Sequence, residues 1–365
     1  MTTTIQSVIK RFPNVTKKIT APQKTIQKFS LNILLILRTS ERKNFSSLAR
    51  CNNVSYRSIY MTEQEASNCI EYAKEYLVKL ICILAAKGNK GRLLIDFTDI
   101  AKPFSKHIPD VTYDYSGSSK RVEKGLSLGI AVWSNGMISI PFNFETWLRK
   151  KDAGNKYKTK IEIAQVLILS ARRVIPFSEV MLDGAFASQK MIRFVIELNQ
   201  KFTMRIPRNR VVNIGNRSFQ LRYCPAFLFN KNKKFKTICA CYKGFRCYFT
   251  AHKRKTKNDK FEVVFIVSNV KRTPQEHVVA YKKRWPQEKF HRTAKQKLGL
   301  ADCQSTYRNK QHAHIFLVMT TYAQLELMKI YKRKKSPEEI VNLFRHQKSP
   351  KDFRDLRDLE ETFMA

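Results

Sequence analysis

Apolar positions change their period along the chain, and each change marks an expected element. Through the first 88 residues they recur at three and four, so IQSVIKRF, NILLILRTS and EQEASNCIEYAKEYLVKLICILAA read as helices with one apolar face. Between the last two, FSSLARCNNVSYRSIY fits a helix-turn-helix, with an ordinary helical hairpin as the other reading. Leu48 and Ala49 fall on its first helix, Asn52 and Asn53 in the turn, and Val54, Ser55, Ser58 and Ile59 on its second. Asn tolerates the left-handed conformation of such a turn, and Ser55 is expected to cap the helix that follows. GNKGR, at 88–92, marks a boundary.

Strand patterns follow. LLIDFT, LSLGIAVW and ISIPFNFETW are rich in Ile, Val, Phe and Trp and are separated by turn residues, which predicts a three-strand meander. KYKTKIEIAQVLILSARR then predicts a long helix, SEVMLDGA a short buried strand, SQKMIRFVIELNQ a helix and FTMRIP a strand. Gly184 is expected to let the chain turn sharply after Asp183. The fold class is therefore α/β, a mixed sheet flanked by helices. SFQLRYC, TICACYK, RCYFTAHKR and EVVFIVSN break the alternation and read as a β-rich insertion. HAHIFLVMTTYAQLELMKIYKRKK is a further helix, and the last thirty residues are polar and peripheral. The expected units are 1–88, helical; 89–207 and 273–335, the two parts of one core; 208–272, the insertion; and 336–365, a tail.

Charge adds a partner. Over 365 residues, Lys+Arg 69 against Asp+Glu 29 leaves +40, far more than solubility needs, which points to a polyanion. No apolar run reaches the length of a membrane span; the longest, Leu77 to Ala86, is interrupted by Lys79. The N-terminus shows no apolar signal segment, so a cytoplasmic protein is expected. Eight cysteines without disulfide spacing fit that compartment. Cys239, Cys241 and Cys247 read as small strand residues rather than a zinc site, since no CxxC or His pair completes one. With double-stranded DNA as the polyanion, Arg57 on the second helix of the helix-turn-helix would face its groove.

The most informative stretch is AYKKRWPQEKFHRTAKQKLGL, 280–300. At about 100° per residue, Tyr281, Arg284, Glu288 and Lys295 return to one helical face. A carboxylate then stands between an aromatic hydroxyl and two cations able to hold phosphate oxygens; a basic helix with one incidental acid is the other reading of the spacing. Pro286 leaves two geometries open, a kinked rod or a helix that restarts at the proline. Trp285 reads most simply as a core residue, with stacking on a displaced base as the alternative.

This Y-x2-R-x3-E-x6-K run resembles the signature of the DDE transposases of bacterial insertion sequences. The resemblance implies an RNase H-like catalytic core with two earlier aspartates at strand ends, and Asp96 in LLIDFT and Asp183 in VMLDGAF stand in suitable contexts. Asp99 is the rival for the first position, but strand alternation sets it on the opposite face from Asp96. Asp114, Glu123 and Asp152 read as solvated.

The implied chemistry is phosphodiester transfer. Asp96, Asp183 and Glu288 would be both the catalytic residues and the ligands of two Mg2+ ions roughly 3.5–4 Å apart, with Mn2+ as a substitute. Tyr281, Arg284 and Lys295 would hold DNA phosphates beside them. By the same resemblance the protein would bind the terminal inverted repeats, cleave at the element ends and join the 3′ ends to target DNA as a homodimer or larger assembly. A non-catalytic DNA-binding relative and a stand-alone RNase H-like nuclease are the rival readings.

Overall fold

The computed structural model describes residues 22–86, 88–117, 119–229, 234–256, 259–331 and 336–346. The helix expected from IQSVIKRF and the tail beyond residue 346 lie outside the described residues.

Four helices come first: α1 (Gln23–Arg38), α2 (Phe45–Asn52), α3 (Tyr56–Ile59) and α4 (Glu63–Ala85). The α1 face carrying Phe29, Ile33, Ile36 and Leu37 is fully buried. α4 starts at a capping box in which Thr62 and Glu65 satisfy each other's backbone N–H groups. Lys28 Nζ reaches both Glu65 oxygens at 2.9 and 3.0 Å and ties α1 to that cap. Asn44 caps α2, and Asn53, with φ 53°, ends it in the left-handed turn the sequence predicts. The second helix of the motif is shorter than expected. α3 is a single turn, and the Ser55 side chain makes no capping bond.

The sheet is built from β1 (Arg92–Ala101), β2 (Thr112–Ser116), β3 (Arg121–Ser134), β4 (Ser139–Trp147), β5 (Glu179–Leu182) and β6 (Lys201–Ile206), extended by β7 (Val211–Ile214), β8 (Arg217–Gln220), β9 (Phe235–Tyr242), β10 (Phe245–Lys255) and β11 (Phe261–Ser268). β1 is antiparallel to β3 and parallel to β5, β5 is parallel to β6, and β4 pairs with β3. The order β4-β3-β1-β5-β6 is that of an RNase H-like sheet. The insertion does not stand apart: β11 pairs antiparallel with β6, and β10, β9, β7 and β8 follow in the same sheet. The chain comes closest at Gly125, where a Cβ would lie 2.2 Å from the Ile100 carbonyl oxygen. The chain does turn after Asp183, through a 3-10 turn at Gly184–Phe186, but without a positive φ at Gly184, where a Cβ would meet Arg205 at an ordinary 3.6 Å.

Helices cover the faces: α5 (Lys160–Val174), α6 (Gln189–Glu197), α7 (Pro274–Lys282), α8 (Trp285–Gln296), α9 (Arg308–Tyr331) and α10 (Pro337–His346). α9 is buried along most of its length, and α4 covers one side of it: Lys74 lies over the Phe316 ring, Asn309 Nδ2 donates to Ser67 Oγ at 2.9 Å, and Gln324 bonds the Tyr76 hydroxyl. The apolar side chains of the N-terminal helices belong to the same buried cluster as the sheet.

Candidate active site

Two acids are set by sheet register. Leu93, Leu94 and Ile95 are fully buried on β1, and Ile95 pairs with Leu182 of β5. The next residue on each strand is an aspartate, so Asp96 and Asp183 lie side by side. β5 ends at Leu182 while β1 continues to Ala101, which opens the sheet beside Asp96. Such carboxyl ends of parallel strands are where α/β sheets bind ligands.

The third acid arrives on α8, and the choice left open by Pro286 resolves as a restart. α7 closes at Lys282 and a new helix begins at Trp285 with Pro286 in its first turn. Glu288 therefore sits near a helix N-terminus, where the dipole favours an acid. Gln287, fully buried, donates Nε2 to the Ile130 carbonyl at 2.9 Å and pins α8 to β3. Phe290 packs edge-on against Tyr322 with ring centroids 5.0 Å apart.

The break in the helix does not scatter the signature residues. Tyr281 donates its hydroxyl to Asp183 Oδ1 at 3.1 Å, Arg284 Nη1 donates to Asp96 Oδ2 at 3.1 Å, and Arg284 Nη2 reaches Glu288 Oε1. One guanidinium thus bridges two acids from distant parts of the chain. Arg284 is 11% exposed, against 24% for Asp96 and 37% for Glu288, so the acids open to solvent more than their cation does.

Burial pushes the Asp96 carboxyl up to about 6; Arg284 opposes the shift, and the nearby charges of Asp183 and Glu288 add to it. Burial also pushes the Tyr281 phenol up to about 12, which keeps it a neutral donor to Asp183. For Arg284, burial works against the charge, but Tyr281, Asp96, Asp183 and Glu288 outweigh it and raise the pKa. Three acids face one cation here.

Other residues lie elsewhere. Lys295 is exposed two turns along α8, and the acid it acts on is Asp99. Arg57 is exposed on the single turn α3. Asp99 faces away from Asp96 and accepts from Ser127 Oγ at 2.9 Å. All three acids read as solvated are in fact paired: Asp114 lies on β2 with Lys160 Nζ at 2.5 Å, Glu123 accepts from Arg121 Nε at 3.0 Å, and Asp152 accepts from Thr112 and Arg149. Trp285 is 54% exposed rather than core, because the restart turns Gln287 and Phe290 inward in its place. Sequence reasoning passed over Gln287 and His291. Burial brings His291 down to about 3, and its Nε2 has no hydrogen-bond partner. The E-x-x-H spacing to Glu288, one helical turn, was the signal available.

The site's donors are carboxylate oxygens, the hard ligands that magnesium and manganese take. The donor set fits a divalent cation. Among the described residues, however, no three His, Cys, Asp or Glu converge closely enough to hold one ion as they stand. Arg284 lies between two of the acids instead.

The family model of the transposase DDE domain matches residues 87–323, a stretch that contains Asp96, Asp183, Glu288 and the whole signature run. Comparison with curated proteins gives no match. Among the described residues, no helix is long and apolar enough to cross a membrane.

Proposed function

Because the chain belongs to the transposase DDE-domain family, whose members act on DNA, we propose that it is the transposase of a bacterial insertion sequence: it binds the terminal inverted repeats, cleaves the phosphodiester at each end by hydrolysis, and joins the freed 3′ ends to target DNA. Asp96, Asp183 and Glu288 are the proposed catalytic acids and ligands of two Mg2+ ions, with Mn2+ as the substitute. The observation that carries this reading is the meeting of Asp96, Asp183 and Glu288 through the Tyr281 and Arg284 side chains.

When bound, the divalent ions supply charge neutralisation on the attacking and leaving oxygens and acidify a bound water. The protein's own residues do the rest. The β1–β5 ladder, which ends at Ile95 and Leu182, sets Asp96 and Asp183 at one end of the sheet, and the buried Gln287 anchors the helix that carries Glu288. Tyr281 holds Asp183 through a neutral hydroxyl. Arg284 and the exposed Lys295 are proposed to hold backbone phosphates, with Arg57 and the N-terminal helices reading the end sequence. The +40 charge supplies the attraction to a duplex, and a homodimer or larger assembly on DNA would bring two ends together.

The test is cleavage of a labelled duplex carrying the DNA that borders the gene, with Mg2+. Strand cleavage at the repeat end, lost in Asp96→Ala, Asp183→Ala and Glu288→Ala while DNA binding persists, supports the reading. Retained cleavage in any of them removes that residue from the triad. Binding without cleavage in the wild type would leave only a DNA-binding protein.

A further inference from the structure

Arg284 touches two of the acids at once, donating Nη1 to Asp96 Oδ2 at 3.1 Å and Nη2 to Glu288 Oε1. A guanidinium carries five donors in a rigid fork that matches phosphate oxygens as well as carboxylates. This fork is only partly used, because Arg284 Nε is buried and has no hydrogen-bond partner. The pose therefore leaves one of the arginine's buried donors unspent. Asp96 and Glu288 are the more open partners, reachable by a small cation from solvent.

We infer that Arg284 is an exchangeable counter-ion. In the resting chain it neutralises Asp96 and Glu288 and holds them apart from metal. On DNA its fork turns to a backbone phosphate, which offers Nε the acceptor it lacks, and the freed carboxylates turn to a divalent cation. This rests on the reading of the acids as metal ligands. Its consequence is linkage: without DNA the guanidinium competes with the cation for the same oxygens, so DNA raises metal affinity and metal raises DNA affinity by the same factor. The device would keep the site from binding metal productively until a phosphate is in place.

Mn2+ binding to the full chain, followed by electron paramagnetic resonance with and without duplex DNA from the gene's flank, tests this. Without DNA, Arg284→Gln is expected to bind Mn2+ at least about fivefold tighter than the wild type, and the gain that DNA confers on the wild type is expected to shrink by a similar factor. Arg292→Gln removes an equal charge from α8 at a side chain that pairs with Glu338 rather than with these acids, and should move Mn2+ affinity less than about twofold. Unchanged or weaker binding in Arg284→Gln, equal tightening in Arg292→Gln, or an undiminished DNA effect overturns the counter-ion. Should Arg284→Gln fail to fold, Arg284→Lys keeps the charge without the fork and is expected to fall between the two; wild-type affinity there overturns it as well. If wild-type Mn2+ binding is absent even with DNA present, or is unaltered there by Asp96→Ala, the metal-site reading itself has failed and the counter-ion falls with it. Normal loss in Asp96→Ala with no effect at Arg284 sinks the counter-ion alone.

Discussion

β1 carries two acid clusters three residues apart on opposite faces, and they are built differently. Around Asp99, one serine serves two carboxyls: Ser127 Oγ lies 2.9 Å from Asp99 and 2.8 Å from Asp114, and Lys160 Nζ closes on Asp114 at 2.5 Å. Burial raises the Asp99 pKa, and the Ser127 hydrogen bond and the charges of Lys160 and Lys295 oppose that shift. Lys160 also lies over the Phe97 and Trp147 rings, 5.2 and 4.9 Å from their centroids, and is fixed there. That cluster is closed by its neighbours. Around Asp96, three acids share a single guanidinium drawn from the far end of the chain, and negative charge is left over. Acids on the same strand thus end as a structural knot on one face and an unsatisfied anionic site on the other, and what separates them is the number and source of their cations.

The largest expected difference between the clusters is in chemistry. Asp96→Ala, Asp183→Ala and Glu288→Ala should each reduce metal-dependent end cleavage by about a thousandfold or more, since residues that act as a unit fail together. Asp99→Asn should stay within about tenfold of wild type, a difference of roughly 1.4 kcal/mol in barrier. A comparable loss in Asp99→Asn would erase the contrast.

Next in size is the effect of pH on the metal-free protein. Asp96 titrates at about 6 in the folded chain against an ordinary 3.8, so the native state holds this proton more tightly than the unfolded one. Its contribution to stability is present below the unfolded value and is lost as pH rises through about 6, with an upper limit of about 3 kcal/mol. In a chelator, the wild-type melting temperature should fall between pH 5 and 7 by more than that of Asp96→Asn. Parallel curves for the two proteins would show that Asp96 is not strained.

A smaller effect separates the clusters by metal. Magnesium at ten times Kd should stabilise the wild type by about 1.4 kcal/mol. Glu288→Gln should lose much of that gain, and Asp99→Asn should keep it. Equal magnesium shifts in thermal denaturation of wild type and Glu288→Gln would remove Glu288 from the ligand set.

Much of this was legible in the linear chain because it depends on local periodicity. The core strands of the sheet, the capping boxes at Thr62 and Thr159, the left-handed turn at Asn53 and the opposite facing of Asp96 and Asp99 all follow from a few neighbouring residues. The polar β2 escaped notice because half-exposed TYDYS lacks an apolar alternation, and Trp285 was misread because its exposure depends on where a helix restarts.

By itself the sequence determined the Y-x2-R-x3-E-x6-K spacing and the position of Asp96 and Asp183 after apolar runs, since residue type and period are properties of the chain alone. Only the tertiary structure decided that Pro286 starts a helix, that the insertion strands join the main sheet through β11, and that the N-terminal helices share its core through α9. It also decided that Arg284 spans Asp96 and Glu288 rather than pointing to solvent. Those outcomes depend on which distant surfaces come together and on how few cations reach a buried cluster. No local pattern records either, because contact energies between elements are realised only once the sheet and its covering helices have packed.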